Sequence, residues 1–263
     1  MWLFSKRIPV RESGMLEGFR DCHCHLLPGV DDGVKRMDDT MHILEEWERC
    51  GVKEVWMTPH IMEDIPNEPD ALRERFKDVK ASYTGGIKLQ LAAEHMMDGL
   101  FLRRLEKEKV MTLNVERGTL NENDNGNDNG NGKVDVDVNV DVSRRLLVET
   151  SYYTPPMNMA ELIERVKRKG YEPILAHPER YQYMDRNDYL RWKQHGVLLQ
   201  LNVPSLVGAY GPEVQRKAEW LLKENMYDYC GTDTHSVEQV RMFLNSEISP
   251  KIVKLVSRVK NGE

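Results

Sequence analysis

The chain has 263 residues, 40% of them hydrophobic, and its formal net charge at pH 7 is −6. This length suits one large domain, such as an α/β barrel, or two small ones. The acidic balance argues against nucleic acid as the main partner, because phosphate-binding surfaces are normally basic. No apolar run typical of a secretory signal opens the chain, and no stretch reaches about 18 apolar residues, so we expect no membrane span. Four cysteines are too few for a disulfide scaffold and favour a reducing cytoplasm.

Short β-rich runs alternate with amphipathic helical patterns along the chain. The predicted strands are Phe19–His25, Val52–Thr58, Ile87–Ala93, Arg145–Thr150, Glu172–Ala176, Val197–Asn202 and Tyr227–Gly231. The predicted helices are Met37–Cys50, Pro69–Tyr83, Gly99–Lys109, Met157–Lys169, Asp185–His195, Pro212–Asn225 and Val237–Val259. Seven strand–helix alternations indicate a parallel sheet, and the closed form of such a sheet is a TIM-like barrel.

Potential metal ligands stand at the carboxyl ends of these strands. The segment DCHCH ends the first strand with His23 and His25, which share a face because they are two residues apart. The later ends carry His60, Glu94 with His95, Glu149, His177, Asn202, and Asp233 with His235. In a β/α barrel the strand ends form one functional face, so we expect these groups to meet. Six of the eight histidines lie at such ends, which favours a metal site over scattered structural histidines.

The ligand chemistry narrows the choice of metal. Histidine nitrogens mixed with carboxylate oxygens suit Mn²⁺, Fe²⁺, Zn²⁺ or Mg²⁺ better than a soft thiolate site does. The ligands exceed what one ion needs, so we expect two or three ions, which together can activate water and hold phosphoryl oxygens. Arg180 follows His177 by three residues in AHPER and is predicted to bind phosphate. The alternative for Arg180 is a surface ion pair, for instance with Glu179.

Several neighbouring residues have open roles. Asp32 can reach a metal from the loop after the first strand, and Asp31 is the competing choice. Asp21 shares a face with His23 and is a candidate to orient a ligating histidine. We expect His95 to face away from the site, because its neighbour in the strand is a predicted ligand.

The cysteines are predicted to pack rather than to react. Cys22 and Cys24 alternate with the two histidines of the first strand and should face the opposite side. A cysteine-dependent phosphatase needs an arginine six positions after its cysteine. The residues at that position are Pro28, Val30, Trp56 and Ser236. That mechanism is excluded.

A low-complexity stretch, NENDNGNDNGNGKVDVDVNVDV (Asn121–Val142), interrupts the pattern. Its alternating acidic and amide residues resemble a calcium loop, but the spacing of that motif and its glutamate are absent. The favoured interpretation is a surface insertion at about residues 117–143 without a catalytic role. It follows the third helix, so we expect it on the face opposite the metal site.

Taken in order, the motifs DCHCH, TPH, the Glu94 region, HPER and GTDTH resemble the PHP (polymerase and histidinol phosphatase) superfamily. The segments HCHLLPGVDDG, LVETSYYTPP and ILAHPERY resemble its bacterial capsule and exopolysaccharide tyrosine-protein phosphatases. The resemblance covers nearly the whole chain apart from its start and the insertion. It implies a single domain over residues 1–263, folded as a distorted (β/α)7 TIM-like barrel with a trinuclear metal site.

The same resemblance implies the roles of the site residues. The implied metal ligands are His23, His25, Asp32, His60, Glu94, His177, Asp233 and His235. Glu149 would be a ligand or would position water, and Arg180 would bind the phosphate. The implied reaction is manganese-dependent hydrolysis of protein phosphotyrosine by a metal-activated hydroxide. Its implied partner is a cytoplasmic tyrosine kinase of polysaccharide export.

Other functions use the same ligands. The nearest alternative is a small-molecule phosphomonoesterase such as a histidinol-phosphate phosphatase. A phosphodiesterase or exonuclease is disfavoured by the acidic balance and the lack of a basic groove. A third alternative is a metal-stabilised regulatory module that binds phosphotyrosine without hydrolysing it. The complete ligand set argues against such a module.

Overall fold

The computed structural model describes residues 7–116 and 142–259. The strands are β1 (Ile8–Pro9), β2 (Arg20–Cys24), β3 (Glu54–Met57), β4 (His60–Ile61), β5 (Lys88–Leu91), β6 (Glu94–Met96), β7 (Leu113–Glu116), β8 (Val142–Glu149), β9 (Glu172–Ala176), β10 (Leu198–Asn202), β11 (Tyr229–Gly231) and β12 (Glu247–Ile248). The helices are α1 (Met37–Arg49), α2 (Pro69–Ser82), α3 (Gly99–Glu106), α4 (Met159–Arg168), α5 (Arg186–Gln194), α6 (Pro212–Lys223), α7 (Val237–Asn245) and α8 (Pro250–Val256). Short 3-10 helices cover Val10–Glu12, Pro178–Arg180 and Val203–Val207.

Most strand pairs in the two larger sheets are parallel. The largest sheet runs in the order β11-β10-β9-β8-β6-β4, and β7 adds to it antiparallel to β8. Strands β2, β3 and β5 form a separate parallel sheet, and β1 pairs with β12. An isolated bridge between Cys24 and Thr234 joins the end of β2 to the segment after β11. The described residues therefore form an α/β fold with eight α-helices around a mainly parallel sheet.

The predicted barrel does not close among the described residues, because the strand ladders fall into separate sheets. Strand β3 stops at Met57 and β4 starts only at His60, with Pro59 between them, which has no N–H to donate. The chain makes a similar step from β5 to β6. The backbone nitrogen of Ala92 still bonds the carbonyl of Met57 at 2.9 Å, so the two chain segments stay side by side across the break.

The predicted helices and strands match the observed ones closely, with one clear error. The predicted helix Val237–Val259 is wrong, because α7 and α8 are separate and β12 lies between them. Pro250 cannot continue a helix that precedes it but fits the first turn of a new one. Ser249 caps that new helix by accepting a bond from the Ile252 backbone nitrogen. The short strands β1, β4, β6, β7 and β12 were not predicted.

The core has two parts. Most buried apolar side chains lie between the sheets and the helices, for example Trp47 of α1 and Ile163 of α4. A second cluster comes from residues of both main sheets without any helix: Cys22, Trp56, Ala92, Leu113, Leu147, Ile174, Ala176 and Tyr229. The sheets thus face each other across apolar contacts, and the carboxyl ends of their strands are left at one edge. No described helix has the length and apolar character needed to cross a membrane.

The strands that flank the predicted insertion are paired. Glu116 of β7 lies opposite Val142 of β8 in an antiparallel ladder. Residues 117–141, which make up all but the last two residues of the predicted insertion, lie outside the described residues, and so does nearly all of the stretch behind the calcium-loop alternative, whereas residues 142 and 143 begin β8. The attachment points lie at the amino end of β8. At about 3.3 Å per residue, this end is roughly 23 Å from Glu149 at the other end of the strand.

Candidate metal centre

Strand β2 brings His23 and His25 together. Both imidazoles are fully buried, and their Nε2 atoms are 3.2 Å apart. The pairing of β2 with β3 shifts by one residue between Asp21 and Cys24, which marks a β-bulge. The predicted common face of Cys22 and Cys24 is therefore wrong, because they belong to different clusters. Both are buried, as expected of packing groups.

Two glycines allow the backbone to approach these histidines. A Cβ on Gly231 would lie 2.5 Å from the Cβ of His23, and a Cβ on Gly33 would lie 2.3 Å from the carbonyl oxygen of His25. Neither distance is compatible with a side chain, so glycine is needed at both positions. The strand carrying the histidines is thus fixed by close backbone packing on either side.

Glu94 lies in the middle of four imidazoles. Its Oε2 is 3.2 Å from His23 Nε2, 3.3 Å from His25 Nε2 and 3.1 Å from His60 Nδ1. Its Oε1 is 3.0 Å from His177 Nε2. Strand β6 begins at Glu94, so the residue is fixed at the start of a parallel strand beside β4. One carboxylate therefore contacts four candidate ligands that three different chain segments supply.

Asp233 presents its two carboxylate oxygens to different neighbours. Oδ1 is 3.5 Å from His23 Nε2 and 3.4 Å from His25 Nε2, whereas Oδ2 accepts a bond from Arg180 Nη1 at 2.5 Å. His235, two residues on, stacks on the His25 ring with centroids 4.0 Å apart. Asp233 and His177 both have positive φ, 51° and 34°, which is uncommon for residues with side chains and occurs preferentially at functional sites.

Several buried polar atoms of the site residues have no hydrogen-bond partner, and three of them belong to one group of candidate ligands. These three are His60 Nδ1, Glu94 Oε2 and Glu149 Oε1. His60 Nδ1 is 3.1 Å from each of the two oxygens, but the geometry of a hydrogen bond is missing. Buried polar atoms are normally paired, because leaving them unpaired is unfavourable. One nitrogen and two carboxylate oxygens aimed at a common point fit a hard or borderline divalent cation.

The predicted ligands come together in one place. Three groups of described side chains have ligand atoms within 4.8 Å of one another: His25, Asp32, His60 and His235; His23, His25 and Glu94; and His60, Glu94 and Glu149. His177 and Asp233 contact members of these groups directly. Histidines and carboxylates are shared between groups, which is the arrangement expected for closely spaced ions.

The structure separates the roles of the two adjacent aspartates. Asp32 Oδ1 lies 3.5 Å from His60 Nε2 and 3.6 Å from His235 Nε2, on the open side of the centre. Asp31 instead accepts a bond from His25 Nδ1 at 2.8 Å, with its other contacts to backbone nitrogens. Asp32 is thus the aspartate placed among the candidate ligands. Asp31 orients His25 and leaves Nε2 of that ring for the site.

Asp21 does not orient an imidazole, contrary to the prediction. Its carboxylate accepts bonds from the backbone nitrogens of His23 and Thr232 and from the Thr232 hydroxyl. Gln200 is the residue that the sequence analysis missed. Its Oε1 is 2.9 Å from His23 Nδ1 and accepts a bond from the His177 backbone nitrogen at 3.2 Å. Its position two residues before Asn202, on the same strand face, was the available signal.

The electrostatics of the centre keep the Glu94 carboxylate ionised. Burial raises the pKa of Glu94, but His23 and His60 outweigh burial and hold that pKa well below its usual range. Burial lowers the pKa of His23, yet Glu94 and Asp233 raise it to about 9. A raised pKa favours the protonated imidazole, which cannot bind a cation through the protonated nitrogen. Metal binding there must displace those protons.

Arg180 lies at the edge of the centre, in the 3-10 helix after β9. The alternative of an ion pair with Glu179 is not found, because Glu179 is buried and accepts bonds from the Ser205 and Tyr227 hydroxyls and the Asn202 backbone nitrogen. Arg180 reaches inward to Asp233 instead. A guanidinium beside the ligand cluster can bind an oxyanion there.

Residues excluded by the sequence analysis lie elsewhere. His95 Nε2 is close to the backbone of Met111, and its ring packs near Phe101, away from the ligands. Burial raises the pKa of the Cys22, Cys24 and Cys230 thiols, which disfavours a thiolate nucleophile. Arg241 of α7 is exposed and pairs with Glu238, so it does not reach the cluster.

Comparison with known proteins gives a consistent result. The tyrosine-protein phosphatase YwqE of Bacillus subtilis (strain 168) is 26% identical over 230 residues, which cover 83% of this chain and 78% of YwqE. The tyrosine-protein phosphatase CpsB of Streptococcus pneumoniae is 22% identical over 229 residues, 83% of each chain.

The fold agrees with a solved structure. One of the crystal structures of YwqE and CpsB, described as unique metal-dependent tyrosine phosphatases, matches with a TM-score of 0.67 and 20% identity, covering 93% of this chain and 96% of the other. The family profile "Capsular polysaccharide synthesis, CpsB/CapC" matches residues 19–131 and 131–246. The chain therefore belongs to the CpsB/CapC family of capsular polysaccharide synthesis.

Proposed function

We propose that this chain hydrolyses phosphotyrosine in proteins and that its ligand cluster holds two or three divalent ions. The observation that carries the proposal is the meeting of three unpaired buried atoms, from His60, Glu94 and Glu149, in a cluster whose Asp233 is bonded to the Arg180 guanidinium. A site that combines cation ligands with a fixed guanidinium suits a phosphate ester, whose oxygens carry negative charge. The naming of the relatives YwqE and CpsB as tyrosine-protein phosphatases supports the choice of ester.

The metal ligands of the proposal are His23, His25, Asp32, His60, Glu94, His177, Asp233 and His235. When bound, divalent ions supply a lowered pKa for a coordinated water and charge stabilisation for phosphoryl oxygens. Gln200 and Asp31 hold the rings of His23 and His25 in place by their bonds to Nδ1. Glu149 holds an ion or orients water, and Arg180 donates hydrogen bonds to the phosphoryl oxygens.

We further propose Mn²⁺ as the metal and a tyrosine kinase of polysaccharide export as the substrate. A mixture of imidazoles and carboxylates suits Mn²⁺, although Fe²⁺, Zn²⁺ and Mg²⁺ accept the same donors. The capsule-synthesis family supports a substrate from that process. Free buried cysteines are consistent with action in the cytoplasm, where thiols remain reduced.

The test is a substrate comparison with protein freed of metal by a chelator and reloaded with Mn²⁺. We expect a phosphotyrosine peptide to be hydrolysed faster than a phosphoserine peptide or histidinol phosphate, and the activity to disappear again with chelator. Faster turnover of histidinol phosphate would place the enzyme among small-molecule phosphatases. Binding of the phosphotyrosine peptide without turnover would support the regulatory module.

Two controls separate metal chemistry from cysteine chemistry. A thiol-alkylating reagent should leave the rate unchanged, because three of the four cysteines are buried and none lies among the ligands. The variant His42→Ala removes a histidine from the exposed side of α1 and should keep full metal content and activity. Inactivation by the alkylating reagent would contradict the proposed mechanism.

A further inference from the structure

Two tyrosines hold the guanidinium of Arg180. Its Cζ lies over the Tyr152 ring at 4.4 Å from the centroid and over the Tyr210 ring at 4.3 Å. Tyr152 follows β8, Arg180 follows β9, and Tyr210 follows β10 and the 3-10 helix Val203–Val207. Three successive strand-to-helix connections thus build one group, which we call the aromatic clamp (Tyr152 and Tyr210). Both contacts have the geometry of cation–π interactions.

Hydrogen bonds connect the clamp to the ligand cluster. Arg180 Nη1 donates to Asp233 Oδ2, and only 17% of the Arg180 side chain is exposed. Asn202 Nδ2 lies 3.2 Å from Asp233 Oδ2 and 3.2 Å from the Tyr210 hydroxyl oxygen, and it donates to both. Asn202 therefore links Tyr210 to the carboxylate that fixes Arg180.

We propose that Tyr152 and Tyr210 are positioning residues that fix Arg180 in one orientation for phosphate binding. The inference rests on the proposed phosphatase function and adds residues to it. A free arginine side chain has many rotamers, and ordering it opposes substrate binding. With one Nη bonded to Asp233 and two rings against the guanidinium, the ordering is complete before the phosphate arrives. Preorganised charge of this kind favours the transition state more than a mobile charge does.

Tyr210 is the better residue to replace, because Tyr152 also packs near His177, one of the proposed metal ligands. Replacing Tyr152 would therefore disturb that ligand as well. For Tyr210→Leu we expect inorganic phosphate to inhibit about 10-fold more weakly and kcat/KM for a phosphotyrosine peptide to fall about 10-fold, the upper range of one cation–π contact. Metal content should not change. Tyr210→Phe keeps the ring and should recover the rate to within about threefold.

A double-variant cycle with Arg180→Ala tests whether Tyr210 acts through Arg180. If it does, Tyr210→Leu has no further effect on phosphate inhibition once Arg180 is alanine. The control is Tyr153→Leu, which removes a neighbouring tyrosine that is 70% exposed and should change neither constant.

Unchanged phosphate inhibition in Tyr210→Leu, or an equal loss with and without Arg180, would overturn the inference. Phosphate binding can be measured by calorimetry on the Mn²⁺-loaded protein whichever ester it hydrolyses. A failed tyrosine-phosphatase assay is therefore distinguishable from a failed clamp.

Discussion

The two ends of strand β8 differ in how their polar side chains are satisfied. At the carboxyl end, Glu149 is buried with an unpaired Oε1 inside the ligand cluster. At the amino end, Arg144 donates to the Tyr171 hydroxyl at 2.6 Å and Arg145 Nε donates to Glu172 at 3.0 Å. One end directs a carboxylate oxygen into the ligand cluster, while at the other end the two arginines donate hydrogen bonds to side chains of the next segment.

This difference indicates which end of the strands tolerates changes in sequence. Residues 117–141 connect to the amino end of β8, on the side away from the ligands. Functional groups in β/α folds gather at the carboxyl ends of strands, so sequence variation at the amino ends leaves them in place. The carboxyl end depends on contacts from many segments and should respond strongly to single substitutions.

The largest effect is expected for Asp233→Ala. This variant removes a carboxylate that contacts the His23 and His25 rings and also fixes Arg180, so turnover should fall by on the order of 10³-fold or more. Far-ultraviolet circular dichroism should show a retained fold, and His177→Ala should behave alike. Full activity in either variant would remove the metal mechanism from consideration.

A smaller but still local effect is expected for Arg180→Ala. Loss of a group that stabilises charge on the phosphoryl oxygens should lower kcat by about 10²–10³-fold. Metal content, measured by elemental analysis, should be unchanged, because Arg180 is not among the ligand groups. Loss of metal in this variant would mean that Arg180 acts through Asp233 and not on the substrate.

Gly231→Ala tests the backbone packing beneath the site. The added Cβ would lie 2.5 Å from the Cβ of His23, so the strand must move. This movement should lower the free energy of unfolding by about 1–3 kcal/mol. Metal affinity should fall by about 10-fold or more, as for other changes that misplace a ligand.

The matched control for Gly231→Ala is Gly170→Ala, where φ is +79° but nothing lies within 4 Å of the added atom. It should cost about 1 kcal/mol through backbone strain and leave metal affinity intact. Equal metal loss in both variants would show a general effect of instability.

His95 gives a pH dependence outside the ligand cluster. Burial lowers the pKa of His95 to about 4. In the unfolded chain the pKa of this histidine is about 6.5. As the pH falls, the unfolded chain therefore binds a proton at this residue before the folded protein does, so the free energy of unfolding decreases between pH 6.5 and 4. The loss amounts to about 3 kcal/mol.

Denaturant unfolding of chelated protein at pH 7 and pH 4 measures this change, with His95→Gln as the comparison. Between pH 7 and pH 4, the free energy of unfolding should fall by about 3 kcal/mol less in the variant than in the wild type. An identical pH profile for both proteins would show that His95 does not carry the effect.

Replacement of residues 117–141 is the largest change to the chain, but it is expected to have the smallest effect on catalysis. Replacing residues 117–141 by Asn-Gly joins Glu116 to Val142, which already lie opposite each other, in a two-residue hairpin. The rate should stay within about twofold, and stability should rise by about 1–2 kcal/mol because the closed loop is shorter. A large loss of activity would mean that this stretch contributes to the site after all.

In the sequence, the proposed ligands lie at or just after predicted strand ends, and the choice of Asp32 over Asp31 rested on the family resemblance. Apolar runs that end in His, Asp or Glu define strand ends, and parallel strands bring such ends together whatever the details of packing. Even His95 was correctly set apart from Glu94, because neighbouring residues on a strand face opposite ways. Local sequence patterns therefore indicate which types of side chain the site contains.

Only the tertiary structure decided how the ligands are held. Gln200 and His23 are 177 positions apart, and their contact depends on which strands are neighbours. Periodicity also did not predict the register shift in β2 or the short strands β4 and β6, which pair in a different sheet from β3 and β5. Hydrogen-bond partners and clamp contacts arise between distant segments that meet only after folding. A pattern with a period of two or 3.6 residues describes which face a side chain occupies, but not which side chain will lie opposite it.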